Sequence, residues 1–117
     1  MTTATAASVT TARGITSDVT VLGEPGAPPL VYLHSAAGHL GGEPMLQQLA
    51  ARYRVYAPVW PGYGEDTGEE LLEDMLDFAL HGNDVVAALG LAQGAAPHLV
   101  GHSMGGMVAA EMAAVSP

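Results

Sequence analysis

A serine set between two glycines is the feature of this chain whose residue types and spacing could do chemistry. Residues 99–106 read Leu-Val-Gly-His-Ser-Met-Gly-Gly, so Gly101, Ser103 and Gly105 form a Gly-x-Ser-x-Gly pattern. A short aliphatic run precedes the pattern, and an apolar, alanine-rich helical segment follows it over residues 107–115. The order of strand, tight turn and helix is the context in which this pattern marks a nucleophile elbow. The hydroxyl of Ser103 is therefore predicted to be a nucleophile.

Both the glycines and the helix have a physical reason to accompany such a serine. An elbow serine sits on a strained turn with the chain close on either side, where Gly101 and Gly105 leave room that a Cβ would fill. The helix that follows points free N–H groups at the serine, which stabilises negative charge developing there. The pattern alone is loose, and a purely structural turn is the alternative. The flanking strand and helix patterns favour the catalytic interpretation.

The composition limits the possible partners. The chain has 117 residues, about half of them hydrophobic, and no internal repeat, which suits one domain with a real core. Cysteine is absent, so disulfides and thiolate metal sites are excluded. Three arginines face twelve acids and the net charge is −9, which argues against nucleic acids and anionic membranes as partners. The amino terminus does not resemble a secretory signal, and no run approaches the roughly 20 apolar residues of a membrane span, so a cytoplasmic location is expected.

The hydrophobic pattern predicts an α/β protein. Strands are predicted over residues 18–22, 30–33, 54–57 and 97–100, and helices over 44–51, 69–89 and 107–115. Residues 1–16 are expected to be an arm or an edge strand, and residues 17–117 to belong to a single domain. The alternation predicts a three-layer fold, a mostly parallel sheet with flanking helices. Sites in such sheets form at the carboxyl ends of strands, so Ser103 and the glycine-rich loop of residues 34–42 should share one edge.

Two features of the long helix have competing interpretations. Gly82 and Asn83 are expected to break or kink the helix, and Gly90 to end it. Eight of the twelve acids lie between residues 65 and 84. They could form a cation site, but acids on the first turn and solvent face of a helix are the favoured interpretation.

The chain has five histidines that are candidates to replace a catalytic base. His102 is expected to pack with its side chain directed away from Ser103, and His34 to hydrogen-bond the backbone of the loop that follows it. His81 is expected to be solvated and His98 to be a partly buried strand residue. His39, in the glycine-rich loop, is the best substitute base. No metal site is expected.

Four stretches together resemble the amino-terminal portion of the α/β-hydrolase fold family. They are residues 29–34 with the loop after them, 53–64, 88–91 and 98–106, and the similarity covers about residues 17–117. The resemblance implies a serine hydrolase in which Ser103 attacks the carbonyl carbon of an ester or related small acyl substrate, forming an acyl-enzyme that water then hydrolyses without a cofactor. It also implies an oxyanion hole made by the backbone N–H groups of Met104 and Ala36. The chain has Ser35 where the family commonly has glycine after the histidine.

The resemblance also implies that the acid and histidine of a triad follow the nucleophile in chain order. Residues 1–117 are therefore expected to be a partial fold, truncated after the elbow helix and without esterase activity of their own. The remainder of the domain or a second copy would cover the exposed sheet edge. A non-catalytic fragment or binding module that keeps the scaffold is the alternative function. A nucleotide-binding domain is set aside because both Gly-x-Gly-x-x-Gly and the P-loop pattern are missing.

Overall fold

Strands and helices alternate along the chain in the order that the sequence predicts. The computed structural model describes residues 5–34, 44–60, 75–91, 97–102 and 104–115. Within these residues the strands are β1 (Thr5–Thr10), β2 (Thr16–Leu22), β3 (Pro29–Leu33), β4 (Arg54–Pro58) and β5 (His98–Gly101). The helices are α1 (Pro44–Ala50), α2 (Met75–Ala88) and α3 (Met104–Val115).

The strands form one mixed sheet in the order β1-β2-β4-β3-β5. Strand β3 pairs in parallel with both β4 and β5, while β2 pairs antiparallel with β4 and with β1. In the β3–β5 ladder Leu33 lies opposite Gly101, so both strands reach their carboxyl ends at the same edge of the sheet. The strand ends from which the two loops singled out in the sequence follow therefore lie side by side.

Strand β3 supplies core residues to both faces of the sheet. Successive side chains of a strand point to opposite faces. Leu30 and Tyr32 join an apolar cluster with α1, whereas Val31 and Leu33 join a second cluster with α2 and α3. All four side chains are at most 3% exposed, as a continuous apolar run in a central strand requires. The resulting three layers confirm the predicted α/β-hydrolase-like fold class.

Helix α2 differs from its prediction in the middle and agrees with it at its end. It runs through Gly82 without a break, and this glycine lies directly against the Met112 side chain of α3. The expected break is therefore wrong, since the missing side chain serves close packing between helices. Gly90 terminates the helix as predicted and has a φ of 79°. The N–H groups of Gly90 and Leu91 donate to Ala87 O and Val86 O, the hydrogen-bond pattern of a Schellman motif.

Ala79, His81 and Val85 of α2 are buried, whereas Leu76 is 48% exposed. None of the helices in the described ranges has the length and apolar character that crossing a membrane would need.

Candidate active site

The backbone on either side of residue 103 is anchored to the end of β3. Ser103 itself lies outside the described residues, but both of its flanks are described. The His102 N–H donates to Leu33 O at 3.1 Å, which continues the β3–β5 ladder one residue past the strand. The Gly105 N–H donates to His102 O at 3.0 Å and closes the segment 102–105. The chain thus passes from strand to helix within a few residues.

The two glycines of the pattern lie against backbone rather than against side chains. A Cβ on Gly105 would fall well inside 3.0 Å of Leu33 O and of His34 O at the end of β3. A Cβ on Gly101 would collide in the same way with the backbone of Gly105 and Gly106. Backbone that is held in a sheet and in a helix cannot move aside as a flexible side chain can. The close approach of β3, β5 and α3 therefore depends on the absence of a side chain at both glycines.

Helix α3 begins at Met104, so its amino-terminal end faces the position of the serine. The first N–H groups of a helix lack intrahelical acceptors and carry partial positive charge. Met104 contributes one of these N–H groups. Ala36, the second donor that the resemblance implies, lies outside the described residues, as does His39.

A buried histidine and tryptophan hold the ends of β3 and β4 together. The Trp60 N–H donates to His34 Nε2 at 2.9 Å, and the indole Nε1–H of Trp60 donates to His34 O at 3.1 Å. The side chains are 0% and 2% exposed. Because Nε2 accepts a hydrogen bond, the His34 ring is neutral with its proton on Nδ1.

This pair was only half anticipated by the sequence. The prediction that His34 binds the backbone of its own following loop concerns residues outside the described ranges; the described partner is Trp60, after β4. Trp60 itself is buried in the core. The available signal was a histidine directly after a buried apolar strand, because a polar side chain that is buried there needs a hydrogen-bond partner.

His81 lies on the inner side of α2 and corrects the expectation that it is solvated. It is 1% exposed, its Nε2 lies 3.5 Å from Ser17 Oγ, and its Nδ1 has no hydrogen-bond partner. Its ring centroid is 6.2 Å from that of Trp60. Burial lowers the pKa of His81 to about 4; the carboxylate of Asp84 raises it in part and Arg13 lowers it further.

Two further histidine expectations are wrong. His98 is exposed on β5 rather than partly buried, with its ring edge-to-face with Tyr53 at a centroid distance of 5.3 Å. His102 is exposed rather than packed. Strand β5 ends the strand order, which leaves side chains near its outer edge accessible within the described part of the sheet.

The acidic segment is mostly outside the described ranges. Of its eight acids, the structure describes Asp77 and Asp84, and the carboxylate of Asp84 pairs with Arg13 at 2.8 Å. Within the part of the chain that the structure describes, no three histidines, cysteines or acids are grouped so that they could hold a metal ion.

Comparison with known proteins agrees with this architecture. The family model for the alpha/beta hydrolase family matches residues 25–116. The chain therefore belongs to the alpha/beta hydrolase family, and the resemblance found in the sequence is confirmed. The match includes the whole segment from β3 to the end of α3.

Solved structures and a curated relative extend the comparison. A carboxylesterase from Bacillus subtilis, CesB, superposes with a TM-score of 0.86 at 26% identity, over 98% of this chain and 40% of that one. An esterase from Rhodococcus superposes with a TM-score of 0.77 at 30% identity, over 95% of this chain and 41% of that one. The dihydrolipoyllysine-residue acetyltransferase component of the acetoin cleaving system of Pseudomonas putida is 36% identical over 97 residues, which are 82% of this chain. The chain spans a quarter of that relative and about two fifths of the two esterases.

Proposed function

We propose that this chain carries the nucleophile of a serine hydrolase that cleaves an ester or a related acyl bond. Ser103 attacks the carbonyl carbon of the substrate, the leaving group departs, and an acyl-enzyme remains for water to hydrolyse. The esterases among the structural relatives support this class of substrate.

One observation carries the proposal: the backbone contacts that Gly101 and Gly105 make across the turn. A Cβ at either residue would overlap main-chain atoms, so both glycines lie against backbone with no room for a side chain. An elbow of this kind exposes the central side chain at the rim of a sheet, where a substrate can reach it. A structural turn joining a strand to a helix would not need to bring three backbone segments into contact.

Negative charge that forms on the substrate oxygen would be stabilised by backbone N–H groups. Met104 follows the nucleophile at the amino-terminal end of α3, and its N–H is one donor in the proposal. The N–H of Ala36, in the loop after β3, is the other. Both loops leave the sheet from strands whose last residues, Leu33 and Gly101, are paired in register.

In this proposal, the catalytic acid and histidine are supplied by residues other than these 117. The same additional chain, or a second copy, is proposed to cover the outer edge of β5. No cofactor takes part, because a serine, a histidine, an acid and water suffice for acyl transfer to water.

The test is covalent labelling of the protein that carries this chain with a fluorophosphonate, which reacts with activated serines. We expect modification of Ser103, located by peptide mass spectrometry, and loss of both labelling and hydrolysis of an activated ester in Ser103→Ala. Ser8→Ala is the matched control because Ser8 is an exposed serine on the edge strand β1. A preparation that is active but unlabelled at Ser103, or that stays active as Ser103→Ala, would contradict the proposal and favour a non-catalytic scaffold.

Acyl transfer to an acceptor other than water is a second candidate, favoured by the acetyltransferase component that is 36% identical to this chain. The same acyl-enzyme would form, and an alcohol or thiol would then take the acyl group. Product analysis with an added thiol distinguishes the two, since transfer yields a new thioester and hydrolysis yields the free acid alone.

A further inference from the structure

The buried contact between Trp60 and His34 lies directly behind the proposed elbow. The indole N–H of Trp60 donates to His34 O at 3.1 Å. The same carbonyl oxygen faces the Cα of Gly105, where a Cβ would approach it to 2.6 Å. Trp60 therefore holds, from one side, an atom against which the first turn of α3 packs on the other.

The ring of His34 makes the connection reciprocal. Its Nε2 accepts the backbone N–H of Trp60 at 2.9 Å, so two hydrogen bonds join the same two residues. Buried hydrogen bonds of this kind are costly to break because water cannot reach the donor and acceptor groups that lose their partners. The pair consequently restrains both the peptide plane at the end of β3 and the chain that leaves β4.

Helix α2 also packs against the tryptophan. The ring of Phe78 meets Trp60 edge-to-face at 5.6 Å, and that of His81 lies at 6.2 Å. The indole therefore packs against α2 and donates a hydrogen bond to His34. Because different residues make these two contacts, each can be changed without the other.

We propose that Trp60 is a positioning residue for the nucleophile: through His34 it fixes the carboxyl end of β3, on which the elbow is seated. The proposal rests on the proposed function insofar as the positioned group is Ser103. The path from the indole runs through His34 O to Gly105, and the neighbouring carbonyl, Leu33 O, accepts the His102 N–H. Both flanks of the serine thus rest on the peptide groups that Trp60 restrains.

The experiment compares Trp60→Phe with Phe78→Leu in the protein that carries this chain. Trp60→Phe keeps an aromatic ring against α2 but removes the indole donor to His34 O. Phe78→Leu disturbs the packing of the same indole and leaves both hydrogen bonds to His34 in place. A residue that acts only by packing would make the two variants alike.

The first measurement is hydrogen exchange at the His102 amide, which needs no catalytic activity. We expect Trp60→Phe to accelerate this exchange about tenfold, the effect of losing one buried hydrogen bond. The Tyr53 amide, which donates to Leu49 O near the opposite face of the sheet, is the internal reference and should keep its rate. Unchanged exchange at His102 in Trp60→Phe, or equal acceleration in Phe78→Leu, overturns the proposal.

The second measurement is the rate of fluorophosphonate labelling at Ser103. We expect the maximal labelling rate of Trp60→Phe to fall about tenfold while the half-saturating probe concentration stays the same, because positioning acts on reaction and not on probe binding. A rise in the half-saturating concentration alone would contradict positioning. If the wild-type protein is not labelled at Ser103, the proposed function fails, and the exchange measurement still decides whether Trp60 restrains the turn.

A second pair of variants covers the case in which Trp60→Phe does not fold. His34→Gln retains an acceptor for the Trp60 N–H, whereas His34→Leu has none. Slower exchange at His102 in His34→Gln than in His34→Leu is expected, and equal exchange in the two variants would overturn the role given to the pair.

Discussion

Two histidines are fully buried in the described part of the chain, and their surroundings are opposite. His34 ends the central strand, and its Nε2 and carbonyl oxygen both accept hydrogen bonds from Trp60. His81 lies in the middle of α2, where its Nδ1 has no partner and its Nε2 has only a 3.5 Å contact with Ser17. Burial is therefore compensated at the edge that carries the candidate site and uncompensated beneath α2. The region around His34 should therefore lose stability mainly when its own residues are substituted. The stability of the region around His81 should instead depend on pH.

The largest effect is expected at the glycine that packs against His34. Gly105→Ala would force a Cβ into the carbonyls of Leu33 and His34, which belong to the central strand. We expect a loss of at least about 3 kcal/mol in the free energy of unfolding, because no atom in contact can move without breaking the sheet. Urea denaturation of the two proteins measures it.

Gly82→Ala is the matched substitution on the α2 side. There the Cβ meets the flexible Met112 side chain, and alanine favours a helix over glycine by about 1 kcal/mol. A net change within about 1 kcal/mol is expected. Equal losses for the two glycine variants would erase the distinction between rigid and adaptable surroundings.

Lowering the pH should destabilise the folded chain through the buried ring of His81. The pKa of His81 is about 4 in the folded chain against an ordinary value of 6.5, so between these values the unfolded chain takes up a proton that the folded chain excludes. The free energy of unfolding should therefore fall as the pH drops from 6.5 to 4 and level off below it, by at most about 3.5 kcal/mol from this group.

His81→Leu isolates this contribution from the other titrating groups. Asp84 and Arg13 are the charged groups that act on His81 within the described residues, and both remain in the variant. Unfolding curves at pH 7 and pH 4 should show a smaller acid loss in His81→Leu than in the wild type. Parallel pH profiles for the two proteins would mean that His81 is hydrated or paired.

At pH 7, replacing each histidine by leucine should change the free energy of unfolding in different directions. His34→Leu leaves the backbone N–H of Trp60 without its ring acceptor, and we expect a loss of about 2 kcal/mol. His81→Leu replaces an unsatisfied ring by an apolar side chain, and a change between zero and a small gain is expected. Thermal or urea unfolding checks both, and a larger loss for His81→Leu would reverse the comparison.

The smallest effect is expected at the ion pair beside His81. The Arg13 and Asp84 side chains are 43% and 32% exposed, so Arg13→Gln should cost no more than about 0.5 kcal/mol, and less in high salt. The same variant removes a cation near His81 and should raise the pKa of its ring, which NMR titration measures. A downward shift would show that Arg13 does not act on His81 through its charge.

The fold was largely predictable because its elements have strong local patterns. The apolar run of residues 30–33 identified a strand buried on both faces, and the glycine pattern around Ser103 predicted a strand, a turn and a helix in that order. The alpha/beta hydrolase family followed from these segments together. Element ends were less accurate: β2 begins two residues earlier than predicted, at Thr16, because its pairing with β1 extends the ladder.

The side-chain environments were much less predictable, and the errors have one cause. His81 was expected in solvent because acids surround it in the sequence, and Gly82 was expected to break a helix because glycine does so in isolation. In the fold both face inward, His81 toward β2 and Gly82 toward Met112 of α3. Which side of a helix is covered depends on neighbours that are distant in sequence.

Local sequence alone established the order of the elements, the family and the serine that is the candidate nucleophile, because period, turn residues and glycine spacing are read along the chain. Three features depend on tertiary packing alone. They are the pairing of His34 with Trp60, the unsatisfied ring of His81, and the contact of Gly105 with the end of β3. These contacts join residues 26 to 72 positions apart, and no short stretch of chain encodes the distance between two atoms that meet only after the sheet has assembled.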